Sequence, residues 1–272
     1  MAKRITIQLI GADSDKQDVR IDDFIKQLTR IKEALRETEL NLTGSDKPLL
    51  DYKVVGLRHS SPSEIDLEPV PAEETEAPPP KELGNRVVRH FSSELKLIRA
   101  KGKLLTPPDL PRLKAYQEIG SKGDNRIMAV KIKVGRSAVI IDDEFKQKLD
   151  RIVGPDEKIH GSISGMLEAV NFHNTNRFTL YPPLGPKRIN GKFRAALRPK
   201  VKEAIGGLAT VIGILSYKAW SPFPHAILAE DIDVHEPDSD LPTLTDLRGT
   251  FAGSTGEMNS VEFIDHLRRE NW

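Results

Sequence analysis

The chain has 272 residues, 38% of them hydrophobic and 30% charged, and it contains no cysteine. The missing cysteine removes disulfides, thiol catalysis and cysteine-ligated metals together, and fits a reducing cytosol. No apolar run approaches the roughly 20 residues needed to span a bilayer, and the opening Met-Ala-Lys-Arg-Ile-Thr-Ile lacks a secretory hydrophobic stretch. A cytoplasmic protein is expected, with part of the chain outside any core.

The net charge of +1 hides a sorted distribution. Residues 158–229 hold ten Lys/Arg against Glu168 and Glu203, a net +8. Residues 230–272 hold eleven Asp/Glu against Arg248, Arg268 and Arg269, a net −8. Such segments imply two kinds of partner, or an acidic tail that folds onto the basic segment of its own or a sister chain.

Residues 3–10 alternate like a strand through Ile5, Ile7 and Leu9. Asp22 or Asp23 is placed to cap a helix with Phe24, Leu28, Ile31 and Leu35 on its apolar face. Tyr52, Val54 and Ile65, Leu67 suggest two strands around Ser60-Ser61-Pro62-Ser63, completing a β-α-β-β unit. From Glu68 to Pro80 no large apolar residue follows Val70, so this stretch reads as a linker or exposed loop. Val87, Phe91, Leu95 and Ile98 share a helix face, and Thr106-Pro-Pro-Asp-Leu-Pro breaks that helix. Residues 127–134 alternate, Val139 to Ile141 pair with them across Gly135-Arg136, and Asp142-Asp143-Glu144 starts a short helix to about Ile152.

Residues 160–235 are the most legible. A long strand from Gly161 to His173 leads through Asn174-Thr175-Asn176 to strands at Arg177–Tyr181 and Lys187–Arg194. A helix starts near Arg198-Pro199 and ends at Gly206-Gly207. Leu208–Tyr217 and Ala226–Val234 complete five strands. Gly161 and Gly165 sit where a first strand must bend, and Gly213 where a neighbour presses closely. Three strands, a helix and two strands is an order that resembles the OB-fold, a small Greek-key barrel. The fold class expected is therefore α+β: a mixed α/β N-terminal half, a small OB-like β-barrel, and an extended C-terminal tail with one short helix. The segments are 1–70 (β-α-β-β unit), 71–84 (linker or exposed loop), 85–157 (α/β), 158–236 (barrel) and 237–272 (partner-binding tail).

The OB resemblance implies a binding face on the second and third strands, flanked by His173–Arg177 and by Lys218–His225. Trp220 and Phe223 in the second loop, with Arg177, Lys187, Arg188, Lys192 and Arg194 nearby, supply the stacking rings and cations that single-stranded nucleic acid needs. The alternative is that the two rings plug one barrel end and the cations form a solvated face. His173, His225 and His235 could approach one another at a barrel end, but their spacing suggests no metal. No G-x-S-x-G, P-loop or paired-carboxylate motif occurs, so neither an active site nor a cofactor is expected.

In the tail, Leu241, Leu244 and Leu247 follow one another, Phe251 lies in a glycine-rich break, and Asn259 with Glu262 forms a capping-box-like start to a last helix. That helix carries Val261, Phe263, Ile264 and Leu267 on one side and Arg268, Arg269 at its end. About three turns are too few for stability alone, so the segment reads as one that folds on a partner. Leu247-Arg248-Gly249, then Ser260-Val261-Glu262-Phe263-Ile264 and Leu267-Arg268-Arg269-Glu270, resemble the C-terminal tail of VapB-type antitoxins. The resemblance covers about 30 residues and implies a PIN-domain ribonuclease toxin as partner. It further implies that Arg248, or failing that Arg268, enters the partner's carboxylate-lined metal site, where a guanidinium forks onto clustered carboxylates. Members of that family are usually short, with a small DNA-binding domain in front, whereas about 240 unrelated residues precede this tail. The reading is an antitoxin-like inhibitor of a PIN-type ribonuclease; the alternative is an accessory protein that binds single-stranded nucleic acid through the barrel.

Overall fold

A computed structural model describes residues 4–11, 19–58, 62–73, 78–120, 127–173, 175–235, 245–246, 253, 256 and 258–270. The chain forms an α+β structure of two compact units, 1–155 and 156–272.

Unit 1 is built on a five-stranded antiparallel sheet of order β2-β3-β1-β4-β5. Its strands are β1 (Ile5–Gly11), β2 (Leu50–Arg58), β3 (Ser63–Pro71), β4 (Ile127–Val134) and β5 (Ser137–Ile141). Strands from both sides of residues 71–84 thus share one sheet, because β4 pairs with β1. Strict alternation in β1 sends Ile5, Ile7 and Leu9 to the buried face. The helices are α1 (Ile21–Thr43), α2 (Leu83–Lys101), α3 (Leu110–Glu118) and α4 (Asp143–Val153). α2 begins at Leu83, inside the stretch read as a linker, and its first residues are already buried.

Three sequence expectations are corrected. The N-cap of α1 is Arg20, without a side-chain cap, and Asp22 and Asp23 fall in the first turn. There carboxylates still suit the helix dipole. The buried face of α1 is also more polar than the apolar spacing suggested. It holds Gln27, Thr38 and Glu39 beside Ile31 and Leu35, while Phe24 and Leu28 are only half-buried. Gln27 accepts from the backbone N–H of Gly120 at 2.8 Å, and Glu39 accepts from Leu49 and Leu50 at 2.6 and 3.1 Å. Finally, the proline-rich break contains α3, whose N-cap Asp109 accepts from Arg112 N at 3.0 Å with Pro111 in the first turn.

The helices meet at a buried carboxylate. Glu94 of α2 and Arg112 of α3 are both fully buried, with Oε2 and Nη1 3.0 Å apart. Tyr116 donates its hydroxyl to Glu94 at 3.0 Å and meets Thr38 of α1 at 2.8 Å. Leu105 N donates to the other Glu94 oxygen at 3.2 Å, and Arg112 also donates to Pro107 O at 3.0 Å and to Thr106. His90, one turn before Glu94, brings its Nε2 to 3.6 Å. Burial opposes ionisation of Glu94, but His90, the Arg112 charge and the Tyr116 hydroxyl outweigh it and hold the carboxyl below its ordinary 4.5.

Unit 2 holds β6 (Asp156–Asn171), β7 (Arg177–Tyr181), β8 (Ile189–Phe193), α5 (Arg198–Ala204), β9 (Leu208–Lys218), β10 (Ala226–Val234) and α6 (Ser260–Glu270). Its strands follow the order β10-β8-β7-β6-β9, and β9 pairs back to β10, so every strand has two neighbours. β8 and β10 run parallel and the other pairs antiparallel. β6 serves two partners, β9 up to Met166 and β7 from Met166 onward. Inside lie Leu167, Phe178, Leu180, Ile189, Phe193, Val211, Leu215, Ile227 and Ile232.

Two glycines permit close backbone crossings. A Cβ on Gly165, at the turnover of β6, would stand 2.7 Å from Tyr181 O, and one on Gly213 would stand 2.1 Å from Leu228 O, beside the register shift in β10. Gly213→Ala is expected to destabilise unit 2 by about 1–3 kcal/mol, the usual range for overpacking, in thermal unfolding followed by circular dichroism.

Replacing Glu94 by Gln leaves the Arg112 charge buried without its counterion, and a loss of about 3–5 kcal/mol is expected in urea unfolding at neutral pH. The pH dependence has a definite sign. The folded-state carboxyl titrates below 4.5, so the unfolded chain binds more protons. The stabilisation is complete above 4.5 and is lost as pH falls through the lower folded-state value. Glu94→Gln should flatten that acid dependence, whereas a surface Glu→Gln control should not.

Candidate nucleic-acid interface

The outer face of β7 and β8 follows from alternation. Phe178 and Leu180 of β7 turn inward, which sends Arg177, Thr179 and Tyr181 outward. In β8, Ile189, Gly191 and Phe193 turn inward and Asn190 and Lys192 outward. Register sets Arg177 directly opposite Lys192, and Lys192 opposite Leu228 of β10. Two like charges facing each other across a strand pair are destabilising. Among the described residues no carboxylate makes an ion pair with either, and the same holds for the exposed Arg188 and Arg194 at the two ends of β8. Lys187 is exposed as well.

Other cations of the basic segment have internal work. Arg198 donates to Phe172 O at 3.1 Å and to Asn176 Oδ1 at 3.0 Å, which fastens the β6–β7 loop to the start of α5. Lys200 bonds Asp231 at 2.6 Å and Lys202 lies 5.9 Å from the Phe172 ring centre. Lys218 is buried against Asp156 at 2.7 Å. The segment's +8 therefore overstates the charge available on its surface.

The β9–β10 loop is ordered by short bonds. Ser221 N donates to Lys218 O at 2.8 Å and Ser221 Oγ to Phe223 O at 2.9 Å. Phe223 is 45% exposed and Trp220 half-buried. The Phe223 ring lies on Gly185 of the β7–β8 loop, where a Cβ would stand 2.7 Å from Cδ1. Phe223 is thus an outer ring resting on a neighbouring loop. Tyr181, Met166 and Leu228 also stand exposed on the outer face. The alternation of Arg177-Phe-Thr-Leu-Tyr181 contains the signal for Tyr181, which the loop aromatics overshadowed in the sequence.

The three histidines do not assemble. His225 and His235 flank β10 at opposite ends, and a nine-residue strand is about 30 Å long. His225 lies 3.4 Å from Asp156, and His235 bonds Thr210 at 2.8 Å. Among the described residues no group of three or more metal-ligating side chains gathers.

In the tail, Leu244, Leu247, Arg248 and Phe251 lie outside the described residues. α6 starts on a capping box: Asn259 Oδ1 accepts from Val261 N and Glu262 N at 3.1 and 3.0 Å, and Asn259 N donates to Glu262 at 3.3 Å. Val261 is 71% exposed, Ile264 and Leu267 are exposed, Phe263 is half-buried, and Arg268 is exposed at the helix end. No helix among the described residues is long and apolar enough to cross a membrane.

No family model matches the chain, and neither a curated protein nor a solved structure gives a significant match.

The opposed charges of Arg177 and Lys192 carry a signature of their own. Lys192→Gln should leave the melting temperature of the free protein unchanged or raise it by a degree or two, because a like-charge pair is worth about 0.2–1 kcal/mol of destabilisation. A cation serving the fold would lower it.

Proposed function

We propose that this is a binding protein whose C-terminal unit holds single-stranded nucleic acid on the outer face of β7 and β8. The observation that carries the reading is the Arg177–Lys192 pair, two like charges facing each other with no carboxylate pairing to either among the described residues. A phosphate backbone laid across the pair would turn its repulsion into attraction. The cyclic strand order, the parallel β8–β10 pair and α5 between the third and fourth strands support an OB-like barrel. In such barrels the second and third strands and their flanking loops bind oligonucleotides. Phe223, Tyr181 and the partly covered Trp220 offer rings to unstacked bases, which a paired duplex does not present.

Fluorescence anisotropy with a labelled single strand and the matching duplex tests this. The single strand is expected to bind more tightly. Arg177→Gln with Lys192→Gln should weaken it at low salt and reduce the salt slope by about 0.7 per lost phosphate contact. Phe223→Ala and Trp220→Ala should each cost about 1–3 kcal/mol. Affinity unchanged in all of these, with folded variants, would remove the face from consideration.

A second reading is favoured by the exposed stripe of α6. A capped helix that leaves Val261 and Ile264 exposed is suited to dock on a protein, and the antitoxin-like resemblance names a PIN-type ribonuclease as that protein. Deleting residues 238–272 should abolish such inhibition. Phe263→Ala should weaken association by about 2 kcal/mol as a lost apolar anchor. Arg248→Ala should release nuclease activity out of proportion to its effect on binding, because it frees the metal site, and a variant that still inhibited fully would exclude the plug.

A further inference from the structure

The sheet of unit 1 ends on one side in β2, and several exposed apolar side chains lie at that edge. Val54 is 56% exposed and Leu57 66%, yet each stands opposite a buried residue of β3, Leu67 and Ile65. Residues directly opposite share a sheet face. Val54 and Leu57 are three apart, so plain alternation would send them to opposite faces. The register shift between Val54 and Gly56 re-aims Leu57 and puts both on the buried, helix-packed face. α1 runs beside them, tied by Glu39 to Leu49 and Leu50 and by Lys32 to Asp51 at 2.8 Å. Ile21, Ile25, Leu28 and Lys32 recur at helical spacing. The stripe that meets β2 at Lys32 therefore carries Ile21 and Ile25, 74% and 55% exposed.

We propose that this edge joins two copies of the chain, β2 pairing antiparallel with β2 of the second copy about a two-fold axis between Val54 and Val55. An edge strand presents unpaired N–H and C=O groups that a second strand satisfies. The charges of β2 select its own sequence as that strand and fix the register. Residues whose numbers sum to 109 face each other, so Asp51 meets Arg58 at both ends, Tyr52 meets Leu57, and Lys53 meets Gly56. A two-residue slip one way sets Lys53 against Arg58, and a slip the other way leaves Asp51 opposite Gly56. Asp51 and Arg58 keep 49% and 62% of their side chains exposed despite their pairs to Lys32 and Asp66. The same axis brings the Ile21 and Ile25 stripes of the two α1 helices onto one face on either side of the join, where the exposed Val54 and Leu57 of both strands would be covered. Such an isologous contact closes at two copies.

Sedimentation velocity on the full chain across micromolar concentrations tests this. A concentration-dependent dimer is expected. Leu57→Asp and Ile25→Asp, both at exposed positions, should each weaken it by at least about tenfold with unchanged circular dichroism. The register has its own test, since the chain contains no cysteine. In the double variant Asp51→Cys, Arg58→Cys the two positions lie roughly 23 Å apart along one strand, too far for a disulfide within a chain. Mild oxidation should therefore yield a covalent dimer on a non-reducing gel. A monomer at every concentration overturns the proposal. So does a dimer indifferent to Leu57→Asp and Ile25→Asp but lost on Ile264→Asp, which would assign association to α6. A dimer that fails to cross-link overturns the β2 pairing.

Discussion

Unit 1 depends on one buried carboxylate. Glu94 touches side chains or backbone from α2, α3 and the loop before α3, and through Tyr116 it reaches α1. An ion this deep is costly to desolvate, and it persists only because its neighbours answer it from several directions. The answers come from α2, α3 and the loop before α3, with α1 behind Tyr116, so docking any one of them alone would leave the charge under-satisfied. The cost of burying Glu94 is thereby turned into a requirement that three helices and a loop arrive together. Apolar contacts such as Phe91 on Tyr116, edge to face at 5.7 Å, surround that centre without specifying its geometry.

The two units handle strand edges in opposite ways, and this decides where each can recognise something. In unit 2 every strand has two neighbours, although β6 gives each half of its length to a different one, and recognition falls mainly to outward side chains and loops. The outward side chains of β7 and β8 are cationic and polar, and the loop beside them supplies rings. In unit 1, β2 and β5 end the sheet and keep one side of their backbones open. There the main chain itself can take a partner, with the side chains choosing which one.

Much of this was legible because it depends on period and punctuation. The five strands of unit 2 and their order follow from alternation, and Gly213 announced a crossing that the backbone bears out at 2.1 Å. The capping box of α6 was legible from Asn259 and Glu262 alone. What escaped shares one cause: polar residues facing inward. α3 was hidden because Arg112, which reads as a solvent residue, is fully buried in it. The face of α1 was misjudged because Gln27, Thr38 and Glu39 are buried while Phe24 and Leu28 are only half so. Partners lying far away in sequence, such as Gly120 for Gln27 and Leu105 for Glu94, decide those burials, and no local pattern encodes them. The bulge at Val55 escaped for a related reason, since a register shift is a property of two strands together.

The charge of unit 2 shows why composition alone misleads about function. Of its basic residues, Arg198, Lys200, Lys202 and Lys218 are engaged inside the unit, fastening a loop, a helix, a ring and a strand end. The fold accounts for these without any ligand. Arg177 and Lys192 are different, because they face each other across the ladder, where like charges are destabilising, and no carboxylate among the described residues pairs with either. A like-charge pair where the neighbouring Thr179–Asn190 pair shows that neutral residues suit the same ladder calls for an explanation outside the unfolded-to-folded balance. On the proposed reading an anion shared by both cations would supply it: the repulsion present in the free protein would be relieved in the complex and would enter the binding free energy with a favourable sign. What distinguishes these cations is their intramolecular partners rather than their number, and on the proposed reading such an anion would lie at the end of the β7–β8 ladder where Arg177 begins β7.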